Sequence, residues 1–276
     1  MNRTKKQHYL PQFYLRYFAD ETENLCVVDA DSEKDYYIVK VRDAAQGRYY
    51  YDFAGDEEKQ SLENFLGLLE SYIAPEYEKI VAQAEIDIEM TDEQKILILN
   101  FVKLQFIRSD WIRKKIPHKI LSEIFKPDHL ANSDKLVHAY MIKEGMFLEA
   151  FDYLYNFSIR VLKCPKNVEI FTSSFPIFLH KASDLNVLLN EIQSGLQNKS
   201  PFLDANLFFP LTSNICLYIY NPMKENNLKD DNWYSVFVTC GISFADRKIY
   251  FKPQDFSKQV YSALKPLLNT NDFHLS

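Results

Sequence analysis

Gln7-His8-Tyr9-Leu10-Pro11-Gln12-Phe13-Tyr14-Leu15-Arg16-Tyr17-Phe18 is the stretch on which the reading of this chain turns. Five of its twelve residues are aromatic, and so much apolar ring surface at a terminus gains by packing inside rather than hanging free. Pro11 suits the first turn of a helix, where its missing N–H is no loss, so a helix is predicted from about Pro11 to Ala19 with His8 in its lead-in. Gln12 and Arg16 are four apart and share a side of that helix. Burial of the segment is then expected to carry His8, Gln12 and Arg16 toward the interior, where each needs a polar partner.

The totals narrow the classes. A chain of 276 residues removes roughly 70–75% of its extended surface from water on folding, so it needs no disulfide or metal staple. With Phe 21, Tyr 18 and only Gly 6, the composition argues against many tight hairpins and against Gly-rich phosphate loops. A net charge of −6 disfavours sequence-independent binding to a phosphate backbone. Cys26, Cys164, Cys216 and Cys240 show no CxxC spacing, which fits a reducing compartment and excludes a common zinc site. No run of about 18 apolar residues occurs and the start lacks a signal-peptide core, so the expectation is a cytoplasmic protein without membrane association.

Along the chain, Leu25–Asp29 and Tyr36–Val41 read as the strands of a β-hairpin. Residues Asp56 to about Gln83 follow helical spacing, with Pro75 as a kink or break. Thr91 caps a helix expected to run to about Ile116, apolar almost all the way round and therefore buried. Ser133 to about Cys164 reads as one long or two shorter helices, and Asp184–Leu196 as an amphipathic helix. Val168–Thr172, Leu207–Phe209, Ile215–Tyr220 and Lys248–Phe251 read as strands. Asp231–Ala245 is open between helix and strand, and Phe256–Leu268 closes the chain as a helix. This order gives an α+β fold in a single domain over residues 1–276: a helical core, with the N-terminal β-hairpin and C-terminal strands forming one mostly antiparallel sheet.

Two constellations could carry chemistry. On the central helix, Phe101, Leu104, Gln105, Arg108 and Ile112 fall on one face, placing Gln105 and Arg108 in an apolar stripe. A buried guanidinium stays charged and must find an acid or an anionic ligand. Glu70 is the natural candidate, with Glu63 on the same side of its helix. Either the pair ties two helices together, or Arg108 is one wall of a pocket facing a phosphate or carboxylate. The second constellation is Phe171-Thr172-Ser173-Ser174-Phe175-Pro176, where hydroxyls at a strand end either line a site or satisfy the local backbone. Ser173 as a nucleophile needs a base, and no G-x-S-x-G elbow presents it. Of the histidines, only His8 sits in an organised motif. His118, His129, His138 and His274 lie in surface-like contexts, and His180 follows a short apolar run. No pair has H-x-x-x-H spacing, so no histidine-bound metal is expected. A Mg²⁺ held by Glu70 is compatible with these residues, though nothing requires it.

These pieces together resemble a bacterial family known as domain of unknown function 4238. Its H-Y-x-P-Q-F-Y-L-R-x-F opening is matched from His8 to Phe18, its tyrosine after the N-terminal hairpin region by Tyr50 or Tyr51, and its Q-x-x-R-[ST] segment by Gln105, Arg108 and Ser109. T-S-D-x-P aligns with Thr172 to Pro176, F-P-L with Phe209-Pro210-Leu211, and A-x-R with Ala245 and Arg247. Ser174 stands where relatives carry aspartate.

Two functional expectations follow. In the first, the chain is a hydrolase directed at a phosphoester or nucleic acid, acting in phage defence or mobile-element conflict. His8, Glu70 and Ser173 would be catalytic, and Gln12, Arg16, Gln105, Arg108, Thr172 and Ser174 would bind the anionic substrate. In the second, it is a non-catalytic binding or scaffold protein whose same residues form a satisfied network, with aromatic surface left for a protein partner or a homodimer.

Overall fold

The opening stretch folds as β1 (Lys6–His8) followed by α1 (Gln12–Arg16), with Pro11 at the N-cap. The structure, a computed structural model, describes residues 5–53, 60–109, 154–180, 206–223, 228–244 and 247–270, with Arg113, Lys135, His138, Ala139, Ile142 and Lys143 as isolated positions. Leu10, Tyr14, Leu15 and Phe18 are buried, as the ring content demands. Tyr14 meets the rings of Phe18, Tyr77, Phe101 and Phe209 at centroid distances of 5.3 to 6.2 Å. Its hydroxyl donates to the Pro210 carbonyl at 3.0 Å and meets the Thr172 hydroxyl at 2.7 Å. One side chain thus joins the front of the chain to both helices and to two late segments.

The strands are β2 (Asn24–Asp29), β3 (Tyr37–Lys40), β4 (Gln46–Arg48), β5 (Ser158–Lys163), β6 (Thr172–Ser173), β7 (Phe178–His180), β8 (Asn206–Pro210), β9 (Ile215–Tyr220) and β10 (Lys248–Phe251). They build an α+β architecture, but the single sheet expected from the sequence is replaced by several. β1 and β4 form a two-stranded ribbon. One four-stranded sheet has the order β3-β2-β10-β6 and another the order β5-β9-β8-β7, and every pairing is antiparallel. The first sheet stops at β6 because Ser173 turns the chain. Its hydroxyl accepts from the Phe175 N–H at 3.1 Å and donates to the Phe175 carbonyl at 2.5 Å, and Pro176 follows. The second sheet is nucleated across the turn Leu211–Asn214, where Thr212 takes the backbone N–H groups of Asn214 and Ile215.

Three further expectations need correction. Residues 158–163 are not the end of a helix but strand β5, paired residue for residue with β9. Of Val168–Thr172 only Thr172 is in a strand. The closing helix is two, α5 (Asp255–Ala263) and α6 (Lys265–Thr270). The undecided segment is helix α4 (Trp233–Phe244). It passes so close to the sheet aromatics that a Cβ at Gly241 would lie 2.6 Å from the Phe171 ring, which explains the glycine.

Two longer helices position the polar residues. α2 (Ser61–Glu85) runs through Pro75 without ending. α3 (Asp92–Arg108) starts on a capping box between Thr91 and Gln94 and ends short of Ile116, because Ser109 is extended. The helices expected before residue 154 and at Asp184–Leu196 lie outside the described residues, apart from the isolated positions named above. So do His118, His129, His274 and Ala245. Among the described residues no helix is long and apolar enough to cross a membrane.

Tyr14→Phe tests the tie directly. It removes the hydroxyl shared by Thr172 and Pro210 in a dry core, so a loss of about 1–3 kcal/mol is expected in urea denaturation. An unchanged midpoint would show that these bonds do not hold the termini together.

Candidate functional site

Arg108 closes the last turn of α3 with only 1% of its side chain exposed. Its Nε donates to the Tyr51 hydroxyl at 3.1 Å, Nη1 to Glu70 Oε1 at 2.8 Å and Nη2 to the His8 carbonyl oxygen at 2.6 Å. The Tyr51 hydroxyl in turn donates to the same His8 carbonyl at 3.3 Å. Burial works against the guanidinium charge, but the Tyr51 oxygen and the Glu70 carboxylate more than offset it, so Arg108 is held firmly protonated. Burial pushes the Tyr51 hydroxyl up to about 12 despite the nearby cation, so this phenol stays neutral.

Around this pair the N-terminal strand is fastened by Gln7. Its side-chain oxygen accepts from the Tyr51 N–H at 2.6 Å and its amide donates to Asp52 Oδ1 at 2.8 Å. His8, half-buried, donates a ring N–H to the Arg42 carbonyl at 3.2 Å. Burial lowers its pKa, which keeps the ring neutral at pH 7. Glu63 lies one α2 face-repeat before Glu70. Burial, with Glu70 and Asp52 adding repulsion against the pull of Arg108, pushes its carboxyl up to about 7. His138 stacks on Tyr51, with ring centroids 6.1 Å apart, and bonds the Ile107 carbonyl at 2.9 Å.

Of the residues singled out in the sequence, the structure brings His8, Glu70 and Arg108 together. Arg16 is not with them: it is exposed and pairs with Glu23 at 2.8 Å. Gln12 is half-buried on α1 and shares no hydrogen bond with the Arg108 group. Thr172 is bonded to Tyr14, and Ser173 is fully buried and spent on its own turn, so its hydroxyl is not presented as a nucleophile. Ser174 is buried, with its backbone N–H on the Lys248 carbonyl at 3.2 Å. Gln105 is completely buried, and neither atom of its amide has a partner among the described residues. Among those residues no grouping of three or more His, Cys, Asp or Glu side chains could hold a metal ion.

Gln7 and Asp52 were missed. Lys-Gln-His carries no apolar residue, so strand β1 gives no alternation to announce which side chain points inward.

The chain belongs to the family described as Protein of unknown function (DUF4238), whose model matches residues 6–260. No curated protein and no solved structure matches it.

Glu63 has a pH signature. Below about pH 4.5 its carboxyl is protonated in both the folded and unfolded chain and costs nothing. Between there and pH 7 the unfolded chain gives up its proton first, so stability falls with rising pH, and the loss is complete above 7. Glu63→Gln is therefore expected to raise stability at pH 8 by about 1–2 kcal/mol, after allowance for solvent screening, and to change nothing at pH 4. Thermal melts of both proteins across that range check it, and an equal effect at both ends would refute it.

Proposed function

We propose that this chain is a non-catalytic binding or scaffold protein, and that its buried charge pair is a clamp rather than a reaction centre. One observation carries the reading: every nitrogen of Arg108 already donates to the protein at 1% exposure. One N–H on each of Nη1 and Nη2 is not used in these three bonds, but at 1% exposure an outside anion meets the guanidinium only if the cluster opens. The electrostatics support the same conclusion. Glu70, Glu63 and Asp52 lie close enough to act on one another, and each opposes the entry of the phosphate that a nuclease must hold. In this reading the chain works in the cytoplasm and offers surface to a partner or a second copy.

A hydrolase acting on a phosphoester or nucleic acid in phage defence is the second reading, favoured by Glu63 alone. A carboxyl pushed up to about 7, near Glu70 and Arg108, has the pKa of a general acid–base group. Incubation with DNA, RNA and a nucleotide panel plus Mg²⁺ separates the two. The clamp reading expects no turnover by wild type. It also expects Arg108→Met and Arg108→Lys to unfold about 3 kcal/mol or more easily, because Lys cannot reproduce the three-way fork. Turnover that vanishes in a folded Glu63→Gln variant would establish the hydrolase instead.

A further inference from the structure

Next to the Arg108 cluster along the same two helices, α2 and α3 border a cleft of about 840 Å³. Its walls are Phe65, Leu69 and Ile73 of α2 and Leu97, Leu104 and Ile107 of α3. Tyr72 and Ile96 stand at its mouth, 70% and 50% exposed, so the apolar lining continues to the surface. A concave apolar space of this size, with a few polar groups at fixed places, is the form that small-ligand sites take.

The polar lining selects the ligand. Four of its side chains are already matched. Gln94 accepts the Thr91 N–H at 2.9 Å within the capping box, and Asn100 accepts the Tyr155 hydroxyl at 2.6 Å. Glu76 pairs with Lys79 at 2.6 Å. Glu93 lies in the first turn of α3 and accepts its own backbone N–H, with its pKa lowered by that bond and by the Thr91 hydroxyl. Lys143 is the exception. Its side chain is exposed at the rim of the cleft, and its ammonium donates at 2.7 Å to a neutral group, the Ser61 hydroxyl, rather than to a carboxylate of the described residues. An ammonium strongly prefers an anion to a hydroxyl, and its flexible stem lets the head follow one.

We propose that this cleft binds a single-chain amphiphile with a carboxylate head, its hydrocarbon tail between α2 and α3 and its head on Lys143. The proposal specifies a ligand for the binding reading. It fails separately from the clamp, because Lys143→Met changes the head-binding group without altering Arg108, Tyr51 or Glu70. The apolar walls supply affinity in proportion to tail length, and Lys143 sets the preference for an anionic head over a neutral one.

Isothermal titration of the full chain with decanoate, and separately with decanol, tests it. Decanoate should bind one per chain and at least tenfold more tightly than decanol. Lys143→Met should bring decanoate down to the level of decanol, and Lys143→Arg should keep most of the difference. Leu104→Trp, which narrows the cleft on its α3 wall, should weaken both while the circular-dichroism melt remains cooperative. Where that variant does not fold, Leu69→Trp takes its place. Absence of decanoate binding, or binding indifferent to Lys143→Met, would overturn the proposal. So would a wild-type dimer that Tyr72→Asp makes monomeric, since a second copy would then occupy the cleft.

Discussion

A guanidinium that cannot lose its charge has been placed where almost no water reaches it, and much of the front half of the molecule is arranged to make that tolerable. Arg108 needs acceptors in the plane of its fork, and they come from three separate parts of the chain: Glu70 from α2, the Tyr51 hydroxyl from the loop after β4, and the His8 carbonyl from the end of β1. Removing any one leaves a buried donor without a partner, which costs more than the bond itself contributes. That asymmetry makes the cluster a register pin. It rewards only the arrangement in which β1, α2 and α3 meet at one point, and Gln7 repeats the logic by spanning Tyr51 and Asp52 from the neighbouring residue.

How far this could be read beforehand depends on the range of the interaction. The pairing of Arg108 with Glu70 was legible because both ends lie on long helices, where angular position follows from counting and an apolar stripe makes a charged intruder conspicuous. The same arithmetic, applied to α1, points Arg16 outward. It stands about 200° around the helix from Tyr14, and it is Tyr14, Leu15 and Phe18 that are buried. Phe13, Tyr14, Tyr17 and Phe18 fall within an arc of about 140° that leaves Arg16 outside it, so the inner face follows from position on the helix and not from ring content alone. The division of the strands was illegible for a different reason. β8, β9 and β10 carry similar apolar runs, and nothing within any of them states that β10 will sit between β2 and β6 while β8 and β9 recruit β7 and β5. Pairing partners are decided by contacts hundreds of residues apart, such as Tyr9 with Tyr250, whose hydroxyls meet at 3.0 Å.

The candidate nucleophile illustrates a related ambiguity. Thr172, Ser173 and Ser174 gather hydroxyls at a strand end, a pattern shared by reactive turns and by turns that merely finish themselves. Geometry separates the two: Ser173 returns its hydroxyl to Phe175, and Thr172 gives its own to Tyr14. Both are therefore part of what ends the first sheet and fastens α1 against it. Among the described residues, Gln105 has both atoms of its side-chain amide buried without a partner, one turn from a side chain whose three nitrogens are all engaged.

The contrast between Arg108 and Lys143 bears on where recognition can occur. Both are cations beside apolar helix faces, but recognition of an outside anion requires that the charge be incompletely answered from within. Arg108 is answered by a carboxylate, a phenol and a carbonyl, and burial together with Glu70 and Asp52 pushes the nearby Glu63 carboxyl up to about 7. Lys143 is answered by one hydroxyl and faces a cleft whose remaining polar groups are already paired. An incoming carboxylate at Lys143 displaces only a neutral contact, whereas at Arg108 it would have to expel an existing ion pair from a buried site. The more conspicuous charge in the sequence is for that reason the poorer binding group in the fold.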